Sequence, residues 1–276
     1  MRKILLPTDF SDNAWSASLY ALNFFEQEIC TFYFLNSVAL TRNMLSNLSD
    51  RLIKEMSAVA TQELLDLKEL AETSDPPNPK HTFETILSTQ DLYKAVGHAC
   101  ETHDIDLVVM GTKGATGAKE FFFGSKTVNV IMSIKACPVL LIPEEFDFVP
   151  PKQIAFPTDY NRFYNLKEVK PLKSLADLYQ PKIRIVHITE EKELSNVQSF
   201  NLRMLKIYFK NYDFSLHCMP KYAEKAKEIN DFIEELDIDV LAMVKYKHSF
   251  IEKIINEPVI KELGFHCKIP FLVIPE

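Results

Sequence analysis

Four of the six glycines in this 276-residue chain, Gly111, Gly114, Gly117 and Gly124, fall within fourteen residues. The segment reads Gly111-Thr112-Lys113-Gly114-Ala115-Thr116-Gly117-Ala118-Lys119-Glu120-Phe121-Phe122-Phe123-Gly124-Ser125-Lys126-Thr127. It follows a short apolar run and leads into a helical pattern that opens at Ser125. Glycine adopts positive φ without strain and lets backbone come close to a ligand. The free N–H groups of a helix start, aided by the helix dipole, form an anion site. Ser125 and Thr127 add hydroxyl donors. Phosphate binding is the chemistry these residues point to; a plain turn is the competing use of clustered glycines. The spacing is neither a Walker A loop nor a dinucleotide fingerprint, and the first strand lacks a glycine turn.

A phosphate loop works only if the surrounding elements hold it at the mouth of a sheet. In the first half, near-continuous apolar runs at 4–6, 32–35, 83–87, 107–110 and 139–142 read as strands covered on both sides, as in a parallel sheet. Helical patterns fill the gaps at 14–26, after the caps Ser11 and Asp12, and at 45–71, 90–103 and 125–135. The stretch Ser74-Asp75-Pro76-Pro77-Asn78-Pro79 breaks any helix before the third strand. Alternating strands and helices predict an open, doubly wound α/β sheet with right-handed crossovers. Ligands in such sheets bind beyond the carboxyl ends of the strands, at the switch point. Pro7-Thr8-Asp9, Asn36-Ser37-Val38 and the segment from Gly111 onward are therefore expected around one crevice.

The same order recurs downstream. Lys3-Ile4-Leu5-Leu6-Pro7-Thr8-Asp9-Phe10 matches Gln153-Ile154-Ala155-Phe156-Pro157-Thr158-Asp159-Tyr160. Asp104-Ile105-Asp106-Leu107-Val108-Val109-Met110 matches Asp237-Ile238-Asp239-Val240-Leu241-Ala242-Met243. Cys137-Pro138-Val139-Leu140-Leu141-Ile142-Pro143-Glu144 matches Ile269-Pro270-Phe271-Leu272-Val273-Ile274-Pro275-Glu276. Three matches in one order indicate a duplication. We expect two domains, 1–147 and 151–276, joined at the stiff Pro150-Pro151 linker. Strands of the second are expected at 154–156, 183–187, 215–218, 240–243 and 271–274.

At these residues the chain resembles the universal stress proteins. ATP-binding members of that family carry Gly-x2-Gly-x9-Gly-Ser/Thr after the fourth strand, and Gly111, Gly114, Gly124 and Ser125 fit that spacing. Pro7-Thr8-Asp9-Phe10-Ser11, the Met110-Gly111 strand end and Cys137-Pro138-Val139-Leu140-Leu141-Ile142-Pro143 extend the resemblance, densely in the first half and thinly in the second. It implies two tandem, five-stranded, parallel-sheet domains of the Rossmann-like, adenine nucleotide alpha hydrolase-like class, with helices on both faces. It also implies ATP, or ADP or AMP, as ligand, with Mg²⁺ as an optional companion. Asp9, at the Pro7-Thr8 strand end, and the backbone near Ser37 would hold adenine and ribose. Gly111, after Met110, and Gly114 would line ribose and phosphates. Gly124, Ser125, Lys126 and Thr127 would hold the phosphates. One departure is that the second strand ends in Asn36-Ser37 where family members often have His-Val. Helix capping is the alternative role for Asp9.

The second half departs further. Gly111 aligns with Val244 and Gly114 with Lys247, while Gly124-Ser125 aligns with Asn256-Glu257, followed by Pro258. Val244 blocks close backbone approach, Glu257 sets a negative charge where an anion would sit, and Pro258 removes an N–H. One nucleotide per chain is expected, with Lys245 and Lys247 a weaker second attraction for an anion. The resemblance further implies that the last strands pair the two domains as an intramolecular pseudo-dimer, with a homodimer of chains left open.

Other classes fare less well. The formal net charge of −7 argues against nucleic-acid binding. Five cysteines, an odd number without Cys-x-x-Cys spacing, argue against a disulfide framework and for a reducing, cytoplasmic compartment. No apolar stretch reaches the roughly 20 residues of a membrane span, and the first apolar run is too short for a signal peptide. Hydrolysis needs a group to position water and usually a metal clamp; no cluster of His and carboxylate lies near the glycine loop. His98, His103 and His187 read as packing or surface residues. The expected activity is nucleotide sensing in a stress response without catalytic residues. The alternatives are a slow ATPase, an adenylate-forming relative, and an interaction module with vestigial nucleotide binding. The downstream protein partner is not legible.

Overall fold

The computed structural model describes residues 1–39, 50–73, 77–112, 123–144, 146–189, 193–220, 225–246 and 268–276. The chain forms two compact units, Met1–Phe148 and Val149–Glu276. In the first unit the strands are β1 (Arg2–Pro7), β2 (Cys30–Ser37), β3 (His81–Ser88), β4 (Leu107–Gly111) and β5 (Val139–Ile142). They lie in the order β3-β2-β1-β4-β5, every neighbouring pair parallel. Parallel neighbours need crossovers, which here are α1 (Asp12–Phe24), α2 (Asp50–Glu72), α3 (Leu92–His103) and α4 (Ser125–Ser133). Strand residues point alternately to the two faces. Every residue of β4 and β5 is buried, so both faces of this sheet are covered.

The second unit repeats the plan with β6 (Gln153–Pro157), β7 (Lys182–Thr189), β8 (Phe214–Pro220), β9 (Val240–Lys245) and β10 (Phe271–Pro275). Their order is β8-β7-β6-β9-β10, again all parallel. Its described helices are α5 (Leu166–Tyr179), α6 (Asn196–Tyr208) and α7 (Lys225–Glu235).

The repeat reaches individual hydrogen bonds. Lys3 N donates to Asp106 Oδ2 at 2.9 Å, and Gln153 N donates to Asp239 Oδ2 at 2.8 Å. Phe10 N donates to Thr8 Oγ1, and Tyr160 N to Thr158 Oγ1. Phe10 and Tyr160 hold φ at 62° and 56°, and Asp104 and Asp237 hold 51° and 48°. Positive φ is uncommon for such side chains, so its recurrence at paired positions is a conformational trace of the duplication.

Element boundaries follow local chemistry. Ser11 accepts from Ala14 N and caps α1, which therefore begins at Asp12. Asp91 is the N-cap of α3, so that helix starts at Leu92 and not at residue 90. Ile134 turns extended, with ψ at 131°, and ends α4 at Ser133, two residues before the expected stop. No helix among the described residues is long and apolar enough to cross a membrane.

Candidate functional site

The first unit has a cleft of ≈ 240 Å³ at the carboxyl ends of β1, β2 and β4. Pro7, Thr8, Asp9, Ser37, Met110, Gly111, Lys126 and Thr127 line it, drawn from four separate elements or their ends. Gly124 and Ser125 sit one step along, as the N-cap and first residue of α4. Gly114 lies outside the described residues. The lining also contains residues that the glycine spacing does not mark: Asn36 from β2, Asp91, Leu92 and Tyr93 from the start of α3, and Asn129 from α4. Their signal was positional, since a helix start facing the same sheet edge as Gly111 must border the same crevice.

The floor is rigid. Thr8 is buried, its N–H donates to Leu35 O, and its carbonyl accepts from Asn36 Nδ2 at 2.9 Å. Ser37 Oγ donates to Gln90 O and ties β2 to the approach of α3. Asp9 Oδ1 accepts from Ser11 Oγ at 2.6 Å and from Ser11 N at 3.3 Å. Ser11 in turn caps α1. Asp9 thus borders the cleft and braces Ser11, the residue that caps α1.

The glycine segment is closed at its base. Thr112 N donates to Ile142 O, and Gly124 N donates to Thr112 O at 2.7 Å. Thr127, buried, donates its hydroxyl to Gly111 O at 3.2 Å. These bonds fix the start of α4 against the end of β4. The first N–H groups of a helix have no acceptor within it, and Gly124 adds no side chain to cover them. Lys126, exposed, is the one cation of the lining among the described residues, beside the carboxylates Asp9 and Asp91. Lys94 lies 3.2 Å from Asp91, and that hydrogen bond raises the lysine's pKa. Among the described residues, positive potential at this cleft comes from the α4 start and Lys126.

Two glycines differ from their expected use. Gly124 has φ −61° and ψ 149°, a conformation open to any residue. Its value at that position is the missing side chain. At Gly111 a Cβ would stand 2.8 Å from Asn13 Nδ2. The glycine that spacing assigns to ligand approach also makes room for α1. Phe123 is buried, while Phe121 and Phe122 lie outside the described residues.

The corresponding region of the second unit is built differently. Val244 is buried at the position of Gly111. Helix α1 starts at Asp12, three residues after Asp9, whereas α5 starts at Leu166, seven after Asp159. The longer connection is clamped by α6, with Gln198 donating to Asp159 O at 3.0 Å and Asn201 to Tyr160 O at 2.7 Å. The Arg162 guanidinium packs over the rings of Tyr164 and Tyr246, 5.3 and 4.6 Å from their centroids, and pairs with buried Glu168. His187 replaces Asn36: its Nδ1 faces Thr158 O at 2.9 Å and so carries the proton, and its ring stacks on Tyr160. Burial pushes the Tyr160 hydroxyl pKa up. Lys245 is described at the end of β9, while Lys247, Asn256, Glu257 and Pro258 lie outside the described residues.

His98 and His103 lie on α3 away from the cleft lining, and the His103 ring packs 5.0 Å from Tyr33.

Comparison with known proteins agrees with this architecture. Residues 1–143 match the model of the universal stress protein family. A universal stress protein of Methanocaldococcus jannaschii is 30% identical over 145 residues, 51% of this chain and 81% of that protein. A universal stress protein structure from Archaeoglobus fulgidus superposes with a TM-score of 0.72 at 20% identity, covering 99% of this chain and 96% of that one. A putative universal stress protein from Pseudomonas aeruginosa superposes with a TM-score of 0.58 at 14% identity, covering 100% and 93%. The latter two likenesses bear on the fold alone. The family match over the first half and the Methanocaldococcus relative decide the kinship: this chain belongs to the universal stress protein family.

Proposed function

We propose that the first unit binds one adenine nucleotide, with ATP as the leading candidate, and that binding serves as a signal in a stress response. One observation carries the reading: the cleft at the ends of β1, β2 and β4 opens beside the start of α4, whose N-cap Gly124 makes no side-chain cap bond. Its ≈ 240 Å³ falls a little below the roughly 300–1,000 Å³ of whole small-ligand pockets. That size suits base and ribose, with the phosphates lying over Gly124, Ser125, Lys126 and Thr127. Met110, Leu92, Tyr93 and Ala14 supply apolar wall for a base. Asp9 reaches a ribose hydroxyl, and Gly111 and Gly114 flank the ribose and phosphates.

No group of three potential metal-ligating side chains occurs among the described residues. A Mg²⁺ ion would accordingly arrive on the phosphates. Asp9 is engaged by Ser11, and no histidine lines the cleft among the described residues, which favours retention of nucleotide over turnover. We assign the second unit, residues 149–276, the part of a degenerate copy without this site.

The test is mass spectrometry of nucleotide released from protein purified without added nucleotide, followed by calorimetric titration with ATP, ADP and AMP, each with and without Mg²⁺. Saturable binding of one adenine nucleotide per chain supports the reading. No binding of any of the three overturns it, and sustained phosphate release replaces it with an ATPase.

A further inference from the structure

Cys100 on α3 and Cys137, two residues before β5, meet in the core of the first unit. Their Sγ atoms lie 2.8 Å apart, and the residues are 4% and 3% exposed. Both are free thiols. They are 37 positions apart in sequence, so no spacing motif announces the pair.

The second unit shows what the fold itself requires there. Ile105 N donates to Cys100 O, and Ile238 N donates to Ile233 O. Val108 N donates to Pro138 O, and Leu241 N to Pro270 O. These paired bonds set Ile233 at the place of Cys100 and Ile269 at the place of Cys137. An aliphatic pair is sufficient for the architecture, so the two sulfurs are a chemical choice confined to the first unit.

We propose that Cys100 and Cys137 are an oxidisable dithiol, closed to a disulfide by hydrogen peroxide or another hydroperoxide, which ties α3 to the connection leading into β5. One cysteine sulfur attacks a peroxide oxygen; the S–O bond forms, the O–O bond breaks, the thiol proton goes to the leaving oxygen, and water (from hydrogen peroxide) or an alcohol (from an organic hydroperoxide) departs with the sulfenic acid in place. The second sulfur then bonds to the first, the S–O bond breaks, and the departing hydroxide takes the second thiol proton as water. Two electrons pass from the sulfur pair to the peroxide. The hydrogen bond with Cys100, and then burial, push the Cys137 thiol far above its usual range. The reduced pair is thereby quiet at rest and reacts when the core opens locally. Exposed Cys218 is the built-in reference and reacts first.

The experiment uses the full chain. Folded protein is treated with hydrogen peroxide, quenched, unfolded, alkylated and mapped by peptide mass spectrometry. The expected result is a Cys100–Cys137 cross-linked peptide, reversed by dithiothreitol, and a melting temperature raised by about 5 °C. The Cys100→Ile/Cys137→Ile variant, which copies the second unit, is expected to fold and to show no such rise. Complete alkylation of both cysteines after peroxide, a sulfinic acid on either, or pairing of either with Cys30, Cys218 or Cys267 overturns the proposal. An equal rise in the double-isoleucine variant does the same.

Discussion

Gly111 and Asn13 compete for one space: a Cβ on the glycine would stand 2.8 Å from the asparagine's Nδ2 and 3.1 Å from its Cγ. Asn13 belongs to α1, and the atoms in the way are all at the end of its side chain, which must shift to admit a methyl group. Gly111→Ala is therefore expected to cost about 1 kcal/mol, and Asn13→Ala in the same chain to recover most of it. A double-mutant cycle of urea unfolding measures this coupling. Additive costs would show that the two side chains do not collide.

The paired roles of Asp9 are separable. Asp9→Asn keeps an oxygen for Ser11 to bond, so stability is expected to move by no more than about 0.5 kcal/mol. Loss of the carboxylate is expected to weaken ATP binding about tenfold, some 1.4 kcal/mol. Ser11→Ala reverses the pattern, losing about 1 kcal/mol of stability through the α1 cap with affinity changed far less. Unchanged affinity in Asp9→Asn would reduce Asp9 to a cap brace.

Gly124→Glu tests the helix start. The backbone there suits any residue, so the variant is expected to fold with a melting temperature near that of the parent. A carboxylate over the first turn of α4 opposes a phosphate, and ATP affinity is expected to fall more than tenfold. Equal affinity by calorimetry would remove the α4 start from the binding site.

Burial lowers the pKa of His81 below 6.5, against smaller raising contributions led by its hydrogen bond to Phe25 O; burial likewise lowers that of His217, aided by Arg184 and Lys182. In both cases the unfolded chain takes up protons that the folded chain refuses. Stability is thus full above pH 6.5 and falls as the pH drops below it toward the folded values. Urea midpoints measured across this range are expected to decline, and His81→Gln to flatten the decline. A slope that does not respond to His81→Gln would contradict this assignment.

In the second unit, Glu168 is buried, pairs with Arg162 and accepts from Asn165 N at 2.7 Å in the α5 capping box. Glu168→Ala leaves a guanidinium without its buried partner and is expected to cost about 3 kcal/mol. Glu168→Gln keeps the cap acceptor and is expected to cost less. Hydrogen exchange of the α5 amides reports both, and protection equal to the parent in Glu168→Ala would show that Glu276, 3.6 Å from the same guanidinium, is partner enough.

Strand identity was most legible where a β-run is apolar on both faces, as in β4 and β5, and less so in β3, whose Glu84 is exposed. Positions 139–142 coincide with β5 to the residue, and 107–110 fall one short of β4. Helix ends were less legible because caps decide them: Ser11, Asp91 and the extended Ile134 each moved a boundary by about two residues from the apolar pattern. Eight of the eleven residues singled out from motif and resemblance line one cleft; Gly124 and Ser125 adjoin it, and Gly114 is outside the described residues. Asp91, Tyr93 and Asn129 carry no spacing signal of their own and enter through topology. Neighbours distant in sequence, such as Asn13 beside Gly111 or Cys100 beside Cys137, leave no local trace in a single sequence.

The bond from Gly124 N to Thr112 O has a bearing beyond ligand binding. It joins Thr112 to Gly124, twelve positions apart in the chain, so the start of α4 takes its place from the end of β4 and not from local sequence. Both partners of that bond are backbone atoms, so side-chain substitution at Thr112 leaves it in place, and at Gly124 only proline, which has no N–H, removes it.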